Sequence, residues 1–251
     1  MRDKAAAEGG AAQEAGGRRR PPEGVPVWTR PQRGTRGPAP ERSRGQITAA
    51  AIALADEGGL DAVSMRQVAG ALGTGPASLY RYIENRDELV DLMADSVAAE
   101  IDLGGPVGED PIAALVALAV QAKGVYLRHP WLLDVMAHRT PIGPRAVDYM
   151  EYVLRILEPA QVSVQAKLEA VGILTGLVTL FARTELNLRR DGVTVNQRQA
   201  TQAAFLTGAA ADGTHPHLLA ALTAAAAGPT PEPDDALFER VMHKLLSALV
   251  R

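Results

Sequence analysis

The stretch that decides the fold is residues 47–92, which read ITAAAIALADEGGLDAVSMRQVAGALGTGPASLYRYIENRDELVDL. From Ile47 to Ala55, apolar residues recur at i, i+3, i+4, i+7 and i+8, and the pattern stops at Gly58–Gly59. This spacing places the apolar side chains on one face of an amphipathic helix that the two glycines end. The sequence therefore predicts a first helix that packs one face against other elements.

Two shorter helices follow at once. Ser64, with Gln67 three residues on, predicts a capping box that opens a second helix, which ends at Gly73. Gly75 is expected to cap a third helix and Pro76 to occupy its first position, where the missing N–H costs nothing. Two short helices joined by a glycine-containing turn are typical of the helix-turn-helix motif of DNA-binding proteins.

The rest of the chain also has helical periodicity. Asn85 is expected to cap a fourth helix, with Leu89, Met93, Val97 and Ile101 as its apolar seam. Proline, glycine and polar clusters divide the remainder into helices near 109–128, 131–139, 144–157, 161–190, 197–207, 215–227 and 234–250. The predicted fold is all-α, with an arm over 1–42, a helix-turn-helix domain over 43–90 and a helical effector-binding and dimerisation domain over 91–251.

Composition excludes several classes of protein. The 251 residues are 47% hydrophobic but only 4% aromatic, and they include no cysteine. A disulfide scaffold, a thiol nucleophile and a cysteine metal site are thereby excluded. The longest nearly apolar stretch, Val171–Ala182, is shorter than the roughly 20 residues of a spanning helix, and no signal-peptide pattern opens the chain. We expect a cytoplasmic protein with no membrane partner.

Charge is unevenly distributed along the chain. Residues 1–90 hold 13 Lys and Arg against 11 Asp and Glu, whereas the remainder holds 13 against 18. Such asymmetry suggests an anionic partner for the N-terminal part. Residues 1–42 are rich in Gly, Pro and Arg and predict a disordered arm. An extension without a role is an equal alternative for residues 1–24, whereas residues 28–44 place arginines beside the first helix.

The run from 47 to 92 resembles the DNA-binding domain of the TetR family of bacterial transcriptional regulators. Its likeness lies in the Ala-rich helix ending in Glu-Gly-Gly and in the motifs Ser-x-Arg-x-Val-Ala, Leu-Tyr-Arg-Tyr and Asn-Arg-Asp-Glu-Leu. The remainder resembles the tetracycline-repressor-type C-terminal domain, through His129-Pro130-Trp131-Leu132-Leu133, Gly143-Pro144 and the terminal helix containing Phe238. The resemblance implies a homodimer that binds double-stranded operator DNA and releases it when a small-molecule effector binds.

The resemblance and the residue types together give a set of predicted DNA contacts. These are Arg44, Ser64, Arg66, Pro76, Ala77, Ser78, Tyr80, Arg81, Tyr82 and Arg86. Arg66 matches a base-contacting position, and a contact to phosphate alone is the alternative. Tyr80 and Tyr82 match phosphate-contacting positions, and the alternative of a core-packed tyrosine weighs more for Tyr80. Arg86 matches a phosphate contact, whereas Glu84 departs from the family pattern, so the operator sequence cannot be carried over from relatives.

Effector and dimer contacts are predicted from bulky groups and apolar seams. The predicted effector pocket consists of Trp131, Met136, His138, Met150 and Phe181. The predicted dimer interface consists of Gly172, Gly176, Leu237, Phe238, Val241 and Leu245. Ordinary core packing is the alternative for both sets. A DNA-binding regulator without an effector, or an activator, is the alternative to a ligand-released repressor.

An enzyme is not expected. The five histidines, His129, His138, His215, His217 and His243, have no metal-ligand spacing of the His-Glu-x-x-His type. His215 and His217 suit a polar helix start better than a metal site. The sequence also lacks a glycine-rich phosphate motif and a nucleophile elbow. No cofactor and no metal are predicted.

Overall fold

The structure is a computed structural model in which every described regular element is helical, in agreement with the all-α prediction. The described residues are 27–29, 43–105, 110–139, 141–228 and 234–250. The α-helices are α1 Arg44–Gly58, α2 Met65–Ala71, α3 Pro76–Leu79, α4 Arg86–Ala98, α5 Pro111–Arg128, α6 Trp131–His138, α7 Pro144–Ile156, α8 Val164–Asp191, α9 Val195–Ala210, α10 Pro216–Ala226 and α11 Asp234–Leu249. Each predicted helix is present, and its ends agree within about one helical turn.

The first three helices share one small core. Its centre consists of side chains with no exposed surface, namely Ile47, Ala51, Val68, Leu79 and Ile83. Burying each of the larger aliphatic side chains stabilises the domain by roughly 1.5–3 kcal/mol. Because the apolar residues of α2 and α3 point into this core, their polar residues lie on the outer surface.

Helix caps fix where these short helices begin. The capping box predicted at Ser64 and Gln67 is wrong in one half: Ser64 Oγ accepts from the Gln67 N–H at 3.2 Å, but its hydroxyl donates to Gln67 Oε1 at 2.6 Å. A complete box lies one helix earlier, where Ser43 Oγ accepts from the Gln46 N–H and Gln46 Oε1 accepts from the Ser43 N–H. The predicted cap of α4 is confirmed, because Asn85 Oδ1 accepts from the backbone N–H three residues on at 2.8 Å.

Helix α4 belongs to both parts of the molecule. It buries Leu89, Met93 and Val97 as the sequence predicts, and it packs against α1 on one side and α7 on the other. Beyond it, α5 lies at the centre of the larger domain and packs against both α8 and α11, which also contact each other. Helix α4 is therefore a direct connection between the small domain and the larger one.

The structure describes one short segment of the predicted N-terminal arm. Val27–Thr29 forms a 3-10 turn, and Val27 is only 4% exposed. At these three residues the structure has a helical turn where the sequence predicts a disordered arm, and the Val27 carbonyl accepts from Arg44 Nη1. The rest of the predicted arm, 1–26 and 30–42, lies outside the described residues.

The helices α8, α9 and α10 are the least covered. Both α5 and α8 have the length and apolar composition of a membrane span, a test that core helices of soluble proteins also pass. Only 22% of the most apolar stretch of α8 is buried. The α9 and α10 helices pack mainly on each other, and among their described side chains Ala210 is the buried one. One subunit thus leaves a large apolar area uncovered.

Candidate nucleic-acid interface

The outward surface of α2 and α3 carries the predicted base-contacting residues. Arg66 is exposed on α2, and Pro76 and Ala77 are exposed on α3. The turn between the two helices depends on Gly73, whose φ of +65 lies in the left-handed region that favours glycine. This turn presents α3 beside α2, as in a helix-turn-helix.

Hydrogen bonds hold the recognition segment, residues 76–83, in shape. The Ser78 hydroxyl donates to the Gly75 carbonyl at 2.8 Å and lies 2.9 Å from Thr74 Oγ1. Arg81 is exposed, and its Nε is 3.5 Å from the carbonyl oxygen of Ser78. The small residues at 77 and 78 leave room for a close approach to DNA, while Arg81 supplies a positive charge on the same surface.

The two tyrosines of the recognition segment lie opposite to expectation. Tyr80 is 54% exposed, whereas Tyr82 is half-buried against the core. The expectation that Tyr80 is the more core-like of the two is therefore wrong. Helical spacing could not distinguish them, because at about 100° per residue Tyr82 lies about 60° from Leu79 and Tyr80 about 60° from Ile83, and α3 ends at Leu79.

Arg44 is a predicted DNA contact that the structure uses internally. Its Nε donates to the carbonyl of Tyr82 at 3.2 Å, and its Nη1 donates to the carbonyl of Val27 at 3.1 Å. A planar guanidinium holds two acceptors in a fixed geometry. Arg44 thus positions the recognition segment, and its contact with DNA stays a prediction.

Arg86 also bonds to backbone carbonyls. Its Nε donates to Val63 O at 2.8 Å and its Nη2 to Leu60 O at 2.6 Å, so it ties the start of α4 to the turn before α2. Close by, the buried Glu88 accepts from the backbone N–H of Glu84 at 2.5 Å. Arg86 remains exposed, and its contact with phosphate stays a prediction.

A polar network joins the small domain to the larger one. Asp56 Oδ1, in the last turn of α1, lies 2.7 Å from both His129 Nδ1 and Trp131 Nε1. The other ring nitrogen of His129 lies 2.8 Å from Glu100 Oε1, and Arg128 donates to the second oxygen of Glu100 at 2.9 and 2.6 Å. Burial opposes ionisation of Glu100, but the bonds and charges of its two partners outweigh it and lower the pKa of Glu100. The network fixes the end of α1 to the start of α6.

The predicted effector residues differ in their surroundings. Trp131 is 2% exposed and donates to Asp56, because a buried indole N–H needs an acceptor, so it belongs to the domain junction. His138 and Met150 are exposed on α6 and α7, and their contact with an effector stays a prediction. Met136 and Phe181 do pack against the core.

A buried ion pair beside Phe181 was not predicted from the sequence. Lys123 Nζ lies 3.0 Å from Glu185 Oε2 and 4.8 Å from the ring centroid of Phe238, which packs edge-on against Phe181. Lys123 is only 5% exposed, and buried lysines are rare unless paired. The signal was a single lysine within an otherwise apolar stretch of α5.

The larger domain also contains two shielded phenols, Tyr126, which is buried, and Tyr149, which is half-buried against the core. Burial raises the pKa of Tyr126 to about 12, and it raises the pKa of Tyr149 well above its ordinary range, with a further contribution from Tyr126. Tyr126 on α5 and Tyr149 on α7 are thus neutral at physiological pH. The larger domain therefore combines one buried charge pair and two phenols with apolar walls.

The residues predicted for the dimer interface divide into two groups. Gly172 and Gly176 are exposed on α8, Leu245 is 38% exposed on α11, and Leu237 and Val241 are half-buried. Phe238 is only 1% exposed because it packs against Phe181 and under Lys123. Its assignment to a subunit interface is wrong, since it belongs to the core of one subunit.

The described residues contain no group of three His, Asp or Glu side chains placed to hold a metal ion. His215 and His217 are exposed, with His215 at the start of α10.

The fold and its exposed basic surface define the class: a helix-turn-helix DNA-binding regulator with a second helical domain. Comparison with known proteins gives the family. Residues 47–93 match the model "Bacterial regulatory proteins, tetR family", and residues 107–250 match "Tetracyclin repressor-like, C-terminal domain". The chain belongs to the TetR family of DNA-binding transcriptional regulators, and is not an enzyme.

Individual relatives agree with this assignment. The chain is 36% identical over 208 residues to the HTH-type transcriptional repressor DrrR1 of Streptomyces coeruleorubidus, with 81% of this chain and 77% of the relative covered. It is 34% identical over 143 residues to an HTH-type transcriptional regulator of Saccharopolyspora erythraea, covering 55% and 59%. Among solved structures, Streptomyces coelicolor ActR in complex with actinorhodin has a TM-score of 0.68 at 27% identity, covering 83% of this chain and 96% of ActR.

Proposed function

We propose that the protein is a cytoplasmic, homodimeric repressor that binds operator DNA and releases it when a small molecule binds its larger domain. DrrR1, which aligns over most of its length, is named as a transcriptional repressor. ActR has been crystallised with (S)-DNPA and with actinorhodin, so a protein of the same fold binds small molecules. These relatives support both halves of the proposal.

The proposal that the protein recognises DNA rests on the surface shared by α2 and α3. Arg66, Ala77 and Arg81 are exposed there, while the apolar residues of the same helices fill the core. An arginine that bonds two acceptors of guanine contributes about 1–3 kcal/mol of discrimination between bases. We assign that role to Arg66 and assign Arg81 to base or phosphate contact.

Dimerisation is supported by the uncovered face of α8. Leu168, Ile173 and Leu180 are 43%, 40% and 58% exposed, and Gly172 and Gly176 lie on the same stripe. No atom lies within 4 Å of a Cβ built on either glycine, so a second helix has room to approach closely. A two-fold pair through α8 and α11 would present two recognition segments to half-sites one helical turn apart.

The effector site is proposed around Phe181, the predicted pocket residue that lies beside the buried Lys123–Glu185 pair. A charge pair and aromatic rings within apolar walls provide the few convergent polar groups typical of ligand pockets. An effector that binds the DNA-incompetent dimer more tightly would shift the population toward it. Helix α4, which packs against both α1 and α7, would carry the change.

A gel-shift titration tests the proposal. The probe is the duplex upstream of the protein's own gene, and Arg66→Ala is compared with Arg190→Ala, which removes an exposed arginine of α8. We expect Arg66→Ala to lose discrimination at one base pair per half-site and Arg190→Ala to bind like the parent. Actinorhodin and a panel of metabolites are then added, with thermal shift as a second readout. If no compound weakened DNA binding or shifted the Tm, the proposed release of DNA by a ligand would be refuted.

A further inference from the structure

The short turn Val27–Thr29, called the strap below, lies at the junction of the two domains. It precedes the DNA-binding domain in sequence, yet Trp28 reaches the start of α7 in the larger domain. A Cβ built on Gly143, which caps α7, would lie 2.9 Å from Trp28 Cζ2 and 2.7 Å from Asp95 Cγ. The indole therefore lies against the corner where α4 and α7 meet.

This corner is itself held together. Asp95 on α4 accepts from the backbone N–H of Arg145 in the first turn of α7, at 2.8 Å. Gly143 has φ −109 and ψ −178, an extended conformation open to any residue. A side chain is excluded there by the Trp28 ring and the Asp95 carboxylate, and not by the backbone. Close packing is thus the reason that glycine suits this position.

The other end of the strap is bonded to the recognition segment. The carbonyl of Val27 accepts from Arg44 Nη1, and the same guanidinium donates through Nε to the carbonyl of Tyr82. Tyr82 lies in the turn that ends the recognition segment, next to the fully buried Ile83. One rigid group therefore links the strap backbone to the last turn of the DNA-reading element.

We propose that the strap transmits the position of the α4–α7 corner to the recognition segment, with Trp28 as the sensor and Arg44 as the positioning residue. The proposal rests on the proposed ligand gating, because an effector in the larger domain is what would move this corner. A shift of α7 relative to α4 displaces the Trp28 ring, and the strap backbone carries that displacement through Arg44 to Tyr82. Couplings between sites of this kind typically amount to about 5- to 150-fold in affinity.

The test measures amide hydrogen exchange in the full-length protein, without DNA or ligand. Gly143→Ala inserts a methyl group against both the Asp95 carboxylate and the Trp28 ring, whereas Gly105→Ala is the matched control, because its nearest atom would be 3.9 Å away. We expect Gly143→Ala to raise exchange in a peptide covering residues 79–84 by about three- to tenfold. Gly105→Ala is expected to leave that peptide unchanged.

Two further variants separate the strap from local packing. Trp28→Ala removes the ring without inserting an atom and is expected to raise exchange at 79–84 in the same way, so the test stands even if Gly143→Ala does not fold. Arg44→Lys keeps the charge but loses the planar fork, and it should give the same rise, with no further rise when combined with Trp28→Ala.

The proposal is overturned if Trp28→Ala changes exchange only at the strap and the start of α7, or if residues 201–210 of the distant α9 change equally. Neither DNA nor effector enters this readout. If no ligand changed DNA binding in the gel shift, the proposed release of DNA by a ligand would therefore be refuted, whereas the hydrogen-exchange result on the strap would still hold.

Discussion

Asp56 offers the sharpest test of how the two domains are joined. Its Oδ1 atom lies 2.7 Å from both Trp131 Nε1 and His129 Nδ1, and its side chain is 33% exposed. Asp56→Ala leaves the indole N–H of Trp131 without its acceptor in a site that is 2% exposed. An unsatisfied buried donor costs about 1–3 kcal/mol, and a bond to a charged group is worth about 1.5–3 kcal/mol.

Two effects reduce the net loss. Solvent at the partly exposed Asp56 screens its bond to His129. A carboxylate in the last turn of α1 also opposes the helix dipole, so its removal returns about 0.3–1 kcal/mol. We therefore expect Asp56→Ala to lower the free energy of unfolding by about 2–4 kcal/mol, and the Tm by about 5–15 °C for a chain of this size.

Urea unfolding followed by tryptophan fluorescence measures this change, since Trp131 is one of only two tryptophans. Glu57→Ala, at the exposed neighbouring position, is the matched control and should stay within about 0.5 kcal/mol of the parent. Asp56→Asn retains an acceptor for Trp131 and should lose about half as much as Asp56→Ala. If Asp56→Ala were as stable as Glu57→Ala, the network would not hold the domains together.

Two more predictions concern the larger domain. Lys123→Met leaves the Glu185 carboxylate with one partner fewer and should lower the free energy of unfolding by about 3–5 kcal/mol. Combining it with Glu185→Leu should restore most of that loss, as measured by urea unfolding. If the single and the double variant were equally unstable, the pairing would be contradicted. Burial raises the pKa of Tyr126 to about 12 from an unfolded value near 10. The contribution of the neutral phenol to the free energy of unfolding is therefore complete below pH 10 and is lost as the pH rises toward 12. Tyr126→Phe should flatten that alkaline loss of about 2–3 kcal/mol in a pH series of unfolding curves, while Tyr80→Phe, at an exposed position, should leave it as in the parent; an unchanged slope in Tyr126→Phe would contradict the assignment.

Helix positions and the DNA-reading motif follow from local signals, and the sequence alone predicts them well. Gly75, Pro76 and Asn85 set helix starts through their own backbone and capping chemistry, so their neighbours in sequence suffice to place them. The same holds for the apolar seams, because the 3.6-residue period of a helix is already visible in the sequence. The helix-turn-helix was therefore recognisable before any tertiary contact was known.

Partners distant in sequence account for what sequence reasoning missed. Trp131 bonds to Asp56 across 75 residues, and Arg44 bonds to Tyr82 across 38, distances at which periodicity contains no information. A basic residue beside the helix-turn-helix predicts a DNA contact at Arg44, whereas its bonds to the carbonyls of Val27 and Tyr82 are visible only in the fold. Phe238 was assigned to an interface because an apolar seam does not distinguish the core of one subunit from contact with a second.

The most direct test of the central claim is selection of DNA from a random duplex pool by the full-length protein. The account predicts enrichment of an inverted repeat whose half-sites lie about one helical turn apart, with Arg66→Ala losing preference at one position in each half-site. Enrichment of no sequence above non-specific binding, or an unchanged preference in Arg66→Ala, would contradict it.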